Sequence, residues 1–196
     1  ADNTRAFPNA EILVPDVEWK FWMDDGEMAR ASAGRMTELF QNNRRVFDTL
    51  ERKVKVYAWG DDVALGVTAV ATPGHSIGHT SFMVSSGGKR VFVQQDVNNN
   101  AAVFGPHPDW HGFFDQDPPA ASETRKRVYD MLAAERLPVQ GYHFPFPALG
   151  RVADFPLLLV VNSALPVASL AELLAWARAR RGALHFASVG NGSPHH

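Results

Sequence analysis

The sequence predicts an α/β fold, and three features carry that prediction. Residues 36–50 place Met36, Leu39, Phe40, Val46, Phe47 and Leu50 at helical spacing, the pattern of an amphipathic helix. Residues 80–85 and 91–93 are two apolar runs joined by Ser86-Gly87-Gly88-Lys89, a hairpin signal. Residues 123–135 set Val128, Met131 and Leu132 on one helical face, and a strand follows at 137–140.

The other elements follow in chain order. Residues 1–9 read as irregular. Residues 11–14 form a short strand that Pro15 stops. Residues 16–23 mix acidic side chains with Trp19, Phe21 and Trp22, a short helix with a buried aromatic face. Residues 54–57 alternate with lysine, as edge strands do. Residues 67–71 are a strand that runs into Thr72-Pro73-Gly74-His75. Asp117 ahead of Pro118 carries helix-start chemistry.

The Pro/Gly-rich stretch 145–151 is the predicted boundary between residues 1–150 and an appended segment, 151–196. In the second part, 154–162 is a strongly apolar strand. Ser169 with Glu172 three residues on is a capping box, opening a helix to about Arg181 that Gly182 closes. Residues 184–189 are a strand and 190–196 a glycine-rich loop ending in His195 and His196. No internal repeat is present.

Composition narrows the function. Of 196 residues, 45% are hydrophobic and 20% charged, ordinary for a globular protein, and the net charge is -2. That balance argues against nucleic acid or an anionic membrane as partner. No apolar run reaches the roughly 18 residues that would span a bilayer. With no cysteine, disulfides, Cys-ligated zinc and a Cys nucleophile are excluded. A metal site must therefore use His, Asp and Glu.

Such residues occur where strands run out. His75 and His79 lie in Thr72-Pro73-Gly74-His75-Ser76-Ile77-Gly78-His79-Thr80. Asp96 ends the strand in Val93-Gln94-Gln95-Asp96-Val97, and His143 follows residues 137–140 in Gly141-Tyr142-His143-Phe144-Pro145-Phe146-Pro147. Strand ends side by side in one sheet would bring these groups to one edge. Two imidazoles and a carboxylate suit zinc, manganese or iron.

These motifs, in this order, resemble the C-terminal half of metallo-β-lactamase-fold hydrolases over residues 7–150. The resemblance implies half of an αββα sandwich with an appended β-α-β segment. It implies His75, Asp96 and His143 as ligands of a divalent metal, zinc first, with Asp96 and His143 taking part in catalysis. Asp96 matches the aspartate that bridges two metals in that family. His79 is not usually a ligand there, and a supporting role behind the ligands is expected. The family's H-x-H-x-D-H motif, which should lie just upstream of Phe7, is missing, so the implied site is a reduced one. The implied activity is metal-dependent hydrolysis of phosphate ester, lactone or other ester bonds in a small molecule, with metal-bound water as nucleophile.

Residues 153–196 resemble a different family. Phe155-Pro156-Leu157-Leu158-Leu159-Val160-Val161-Asn162 and Ser188-Val189-Gly190-Asn191-Gly192-Ser193 are similar to an internal segment of tripartite tricarboxylate transporter substrate-binding proteins. The chain then reads as a fusion joined near residues 150–152. No signal peptide is visible, so the chain as it stands is expected in the cytoplasm, though both families include exported members. A half sandwich exposes the inner face of its sheet. A homodimer is expected, with a second chain packed where the missing half would be. It could bring His107 or His111 towards the metal, although both read more simply as surface-loop residues beside Trp110. Two other functions compete: a catalytically inert chimeric or truncated remnant with a vestigial metal site, and a carboxylate-binding module.

Overall fold

A computed structural model describes residues 7, 9–48, 54–141, 143–152, 166 and 169–179. The chain divides into two compact units, Ala1–Val152 and Ala153–His196.

The first unit opens with β1 (Ile12–Pro15), α1 (Asp16–Met23), α2 (Asp25–Arg30) and α3 (Arg35–Asp48). Pro15 both ends β1 and precedes the first turn of α1, where its fixed φ of -57° suits a helix start. Asp24 caps α2 by accepting the Glu27 N–H at 2.8 Å. The predicted aromatic face is real: Trp22 and Phe40 are buried and their ring centroids lie 4.7 Å apart. β2 (Val54–Tyr57) is parallel to β1, a two-stranded sheet with Ile12 opposite Val54. Residues 49 and 50, the predicted end of the helix, lie outside the described residues.

A mixed six-stranded sheet forms the rest of the unit: β3 (Asp62–Ala64), β4 (Val67–Ala71), β5 (Thr80–Ser86), β6 (Lys89–Val93), β7 (Pro138–Gln140) and β8 (Leu149–Arg151), paired in that order. All neighbours are antiparallel except β6 and β7, which run parallel. A parallel pair needs a crossover. It is made by α4 (Ala101–Phe104) and α5 (Pro118–Ala134). Gly87 and Gly88 turn the β5–β6 hairpin with φ of 55° and 75°, the positive values a two-residue hairpin requires. The predicted helix start at Asp117 and the amphipathic run to Glu135 prove to be one continuous helix, because Asp117 accepts the Ala120 N–H at 3.0 Å.

The core lies between α5 and one face of this sheet. Phe92, Val97, Val128, Leu132, Leu137 and Val139 are buried together there. The opposite face carries Val67, Phe82, Val84, Val91 and Val93, which are partly exposed, and Ala69, which is buried. Tyr129 of α5 accepts from Asn98 and donates to the Phe104 carbonyl. Burial pushes its phenol up to about 12, so the donor stays in place at any physiological pH.

Four short elements depart from the sequence expectation. α2, α4 and β3 are too brief for a periodic signal. β8 lies within the Pro/Gly-rich stretch read as a boundary; Gly150 is opposite Val139 and Arg151 opposite Pro138, so the sheet runs through position 150 and the unit ends at Val152.

In the second unit, α6 (Leu170–Arg178) is described. Its start is as predicted, with the Glu172 N–H donating to Ser169 Oγ at 3.2 Å. The strands expected at 154–162 and 184–189, the closing Gly182 and the loop with His195 and His196 lie outside the described residues. No helix among the described residues is long and apolar enough to cross a membrane.

Candidate metal centre

Three chain segments leave the sheet at neighbouring strand ends and deliver the candidate side chains. The first is the loop between β4 and β5. It is held from two sides. On one side it lies against the start of α5: Thr124 Oγ1 donates to the Pro73 carbonyl at 2.7 Å, the Asp117 N–H to Gly74 O at 3.0 Å and the Gln116 N–H to His75 O at 3.1 Å. Gly74 makes this approach possible. Its φ is +131°, and a Cβ there would stand 2.2 Å from the Ala121 nitrogen. On the other side Glu18 of α1 accepts the Gly78 N–H at 2.6 Å and the Trp22 indole N–H at 3.0 Å.

The second segment follows β6. Gln95 takes a left-handed conformation, φ 53°, and Asp96 sits in the bridge region at φ -93°, ψ 19°. This turn breaks the strand and frees Asp96 from the sheet ladder. The third segment follows β7. Gly141 and Ala148 close it, with the Gly141 N–H donating to Ala148 O at 3.0 Å, and His143 lies within it.

The three expected ligands come together. His143 Nε2 is 2.9 Å from Asp96 Oδ1, and His75 Nε2 is 3.4 Å from Asp96 Oδ2. All three side chains reach solvent, at 26% exposure for His75, 20% for Asp96 and 42% for His143. His79 is behind them. Its Nε2 accepts the Asp96 backbone N–H at 3.1 Å, so Nδ1 carries the proton and lies 2.9 Å from the Thr72 carbonyl. Burial holds its pKa below the ordinary histidine value, which favours this neutral form. Its Nε2 lone pair is thus engaged by the Asp96 backbone.

The donor chemistry fits a divalent metal: two imidazole nitrogens and one carboxylate, with the far nitrogen of His75 already held by another carboxylate, as in liganding histidines. The spacing found is that of hydrogen bonding. Among the described residues no group of three or more His, Cys, Asp or Glu is arranged to hold a metal ion. His107 stacks on Trp110, centroids 4.1 Å apart and planes 7° apart, in an exposed loop that also carries His111.

Two residues of this site escape sequence reasoning. Asp115 Oδ1 lies 3.0 Å from His75 Nδ1, across 40 positions of sequence. Arg125, 1% exposed, donates to the carbonyls of Val97, Pro108 and Trp110 at 3.0, 2.8 and 2.9 Å and stacks over Phe104 at 4.2 Å. Neither belongs to a motif with regular spacing. The available signal was a charged residue on the apolar side of a helix: Arg125 lies three positions before Val128, on the face that the core occupies.

No protein-family model and no curated protein matches the sequence. Solved structures do. One is described as the hydrolase AbOPH in the beta lactamase superfamily; it superposes with a TM-score of 0.70 at 26% identity, over 77% of this chain and 53% of that one. The fold is half of a metallo-β-lactamase-type sandwich. A second structure of this fold is AidC, described as a dizinc quorum-quenching lactonase in complex with a product, with a TM-score of 0.68 and 26% identity over 76% of this chain and 53% of that one. The chain thus spans about half the length of the metallo-β-lactamase-fold hydrolases it matches. The likeness of residues 153–196 to a transporter substrate-binding protein finds no support in these comparisons.

Proposed function

We propose that this chain is a metal-dependent hydrolase of lactone, phosphate ester or other ester bonds, with His75, Asp96 and His143 holding a divalent metal, zinc first. The observation that supports this reading is the convergence of two imidazole Nε2 atoms on the two oxygens of one carboxylate, at the strand ends of a sheet shared with known hydrolases. A bound divalent metal supplies Lewis acidity for ester or phosphoryl hydrolysis.

The chain's own residues do the rest. His79 fixes the Asp96 backbone through its amide, and Asn99 Nδ2 donates to Asp96 Oδ1 at 3.3 Å, so the carboxylate is oriented at both main chain and side chain. His143, the most exposed of the three, is the group best placed to meet a substrate. Trp110 and Phe113, 51% and 89% exposed, lie in the loop that leads to Asp115 and offer apolar surface to a substrate's non-reacting part. A lactone is favoured among the esters because one similar structure is a lactonase with product bound.

The test is metal content and turnover of purified protein on lactone, carboxylic ester and phosphodiester substrates, wild type against His143→Ala. The expected result is retained zinc and hydrolysis in the wild type, both reduced at least tenfold in the variant. A chain that retains no metal and turns over none of these substrates favours the second reading, an inert remnant. We propose further that the chain works as a homodimer, with a second copy against the sheet face of Val67, Phe82, Val84, Val91 and Val93. Light scattering on the same samples gives twice the mass of a 196-residue chain if so, and a stable monomer sinks the idea.

A further inference from the structure

Asp115 is a carboxylate where burial is costly. Its side chain is 1% exposed, and among the described residues Oδ2 has no hydrogen-bond partner. Its charge is balanced by Arg125, 3.7 Å away, and its other oxygen meets His75 Nδ1 at 3.0 Å. An isolated buried carboxylate is strongly unfavourable unless paired and hydrogen-bonded. Both of its partners lead to the candidate centre. Arg125 also binds the Val97 carbonyl, one residue after Asp96, and the residue after Asp115, Gln116, donates its N–H to the His75 carbonyl.

We infer that Asp115, held by Arg125, is the positioning residue of the His75 imidazole: it accepts the Nδ1 proton and so presents the Nε2 lone pair towards Asp96 and a bound metal. A neutral imidazole carries its proton on either nitrogen, and the hydrogen bond made by one decides what the other can do. The Nδ1–Asp115 contact, 3.0 Å, is closer than the Nε2–Asp96 contact, 3.4 Å, so the proton goes to Nδ1 and Nε2 is the unprotonated atom. The same device acts on His79, whose Nδ1 faces the Thr72 carbonyl and whose Nε2 faces the Asp96 amide. Two histidines of one loop thus turn Nε2 to one aspartate, His75 to its carboxylate and His79 to its backbone. This inference rests on the metal-site reading for its consequence, but the tautomer it assigns does not.

Two substitutions separate positioning from packing. Asp115→Leu fills the volume and removes the acceptor; Asp115→Asn keeps an acceptor oxygen. Zinc affinity measured by chelator competition is expected to fall about 10- to 100-fold in Asp115→Leu and only a few-fold in Asp115→Asn. Nitrogen-15 spectra of the metal-free wild type, recorded over a pH series, are expected to show the neutral form of His75 as the Nδ1–H tautomer. A wild-type His75 protonated at Nε2 overturns the inference, whether or not the variants fold. So does a folded Asp115→Leu protein with wild-type zinc affinity. Wild-type protein that binds no zinc defeats the metal reading instead, and the spectrum still decides the role of Asp115.

Discussion

Replacing Arg125 by methionine is expected to destabilise the first unit by about 3–5 kcal/mol, although methionine nearly matches its volume and suits a buried site. Arg125 is the largest fully buried side chain among the described residues, and its donors go to the Val97, Pro108 and Trp110 carbonyls. The substitution orphans these acceptors and leaves the Asp115 carboxylate, 1% exposed, without its cation. Breaking one half of a buried charge pair costs about that much because the remaining charge stays desolvated. Lysine is expected to recover little, since a single ammonium cannot reproduce the fork that reaches several carbonyls. Urea unfolding of the two variants measures the loss. A methionine variant within about 1 kcal/mol of wild type would mean that water, not Arg125, satisfies these groups.

Alanine at Gly74 is expected to cost about 3 kcal/mol or more and to weaken zinc retention with it. Its Cβ would lie 2.2 Å from the Ala121 nitrogen and 2.3 Å from the Ala121 Cα, both backbone atoms of α5 that no rotamer change can move. Overpacking of this kind costs about 1–3 kcal/mol, and a non-glycine residue at φ +131° adds strain of about 1–2 kcal/mol. The loop must lift off α5, and His75 is the next residue. Gly34 supplies the control. Its φ is +93° but among the described residues nothing lies within 4 Å of a Cβ there, so Gly34→Ala carries the conformational strain alone. Thermal unfolding of both variants, with zinc content, separates the effects. Equal losses at the two positions would refute the close-approach explanation.

Much of the architecture is legible in the chain. β4, β5 and β6 carry apolar residues in short runs bounded by turns, and the Gly87-Gly88 pair can do little else than close a hairpin. α3 and α5 carry their apolar faces at helical spacing, and Ser169 announces α6 by its side chain. Where the signal fails, it fails for want of length or contrast. β8 has three residues, one of them glycine, and is a strand because β7 lies beside it. α4 is one turn long and depends on Asn100, whose side chain accepts from the Ala102 and Val103 N–H groups.

The candidate centre divides the same way. His75, Asp96 and His143 stand out because each follows a strand in a motif with its own local form. Asp115 and Arg125 do not, because their roles depend on partners far away in sequence. What the sequence determines alone is the kind of protein and the donor atoms it can offer: an α/β half sandwich, two imidazoles and a carboxylate at strand ends, and no thiol. Local hydrogen-bonding and side-chain periodicity act over a few residues, so they can be read there. The tertiary structure decides the rest: that Asp96 lies between the two Nε2 atoms, that His79 supports the aspartate from behind, and that a buried carboxylate and guanidinium stand behind His75. Those facts depend on which strand ends and loops become neighbours when α5 covers the sheet, and burial then makes their charges matter.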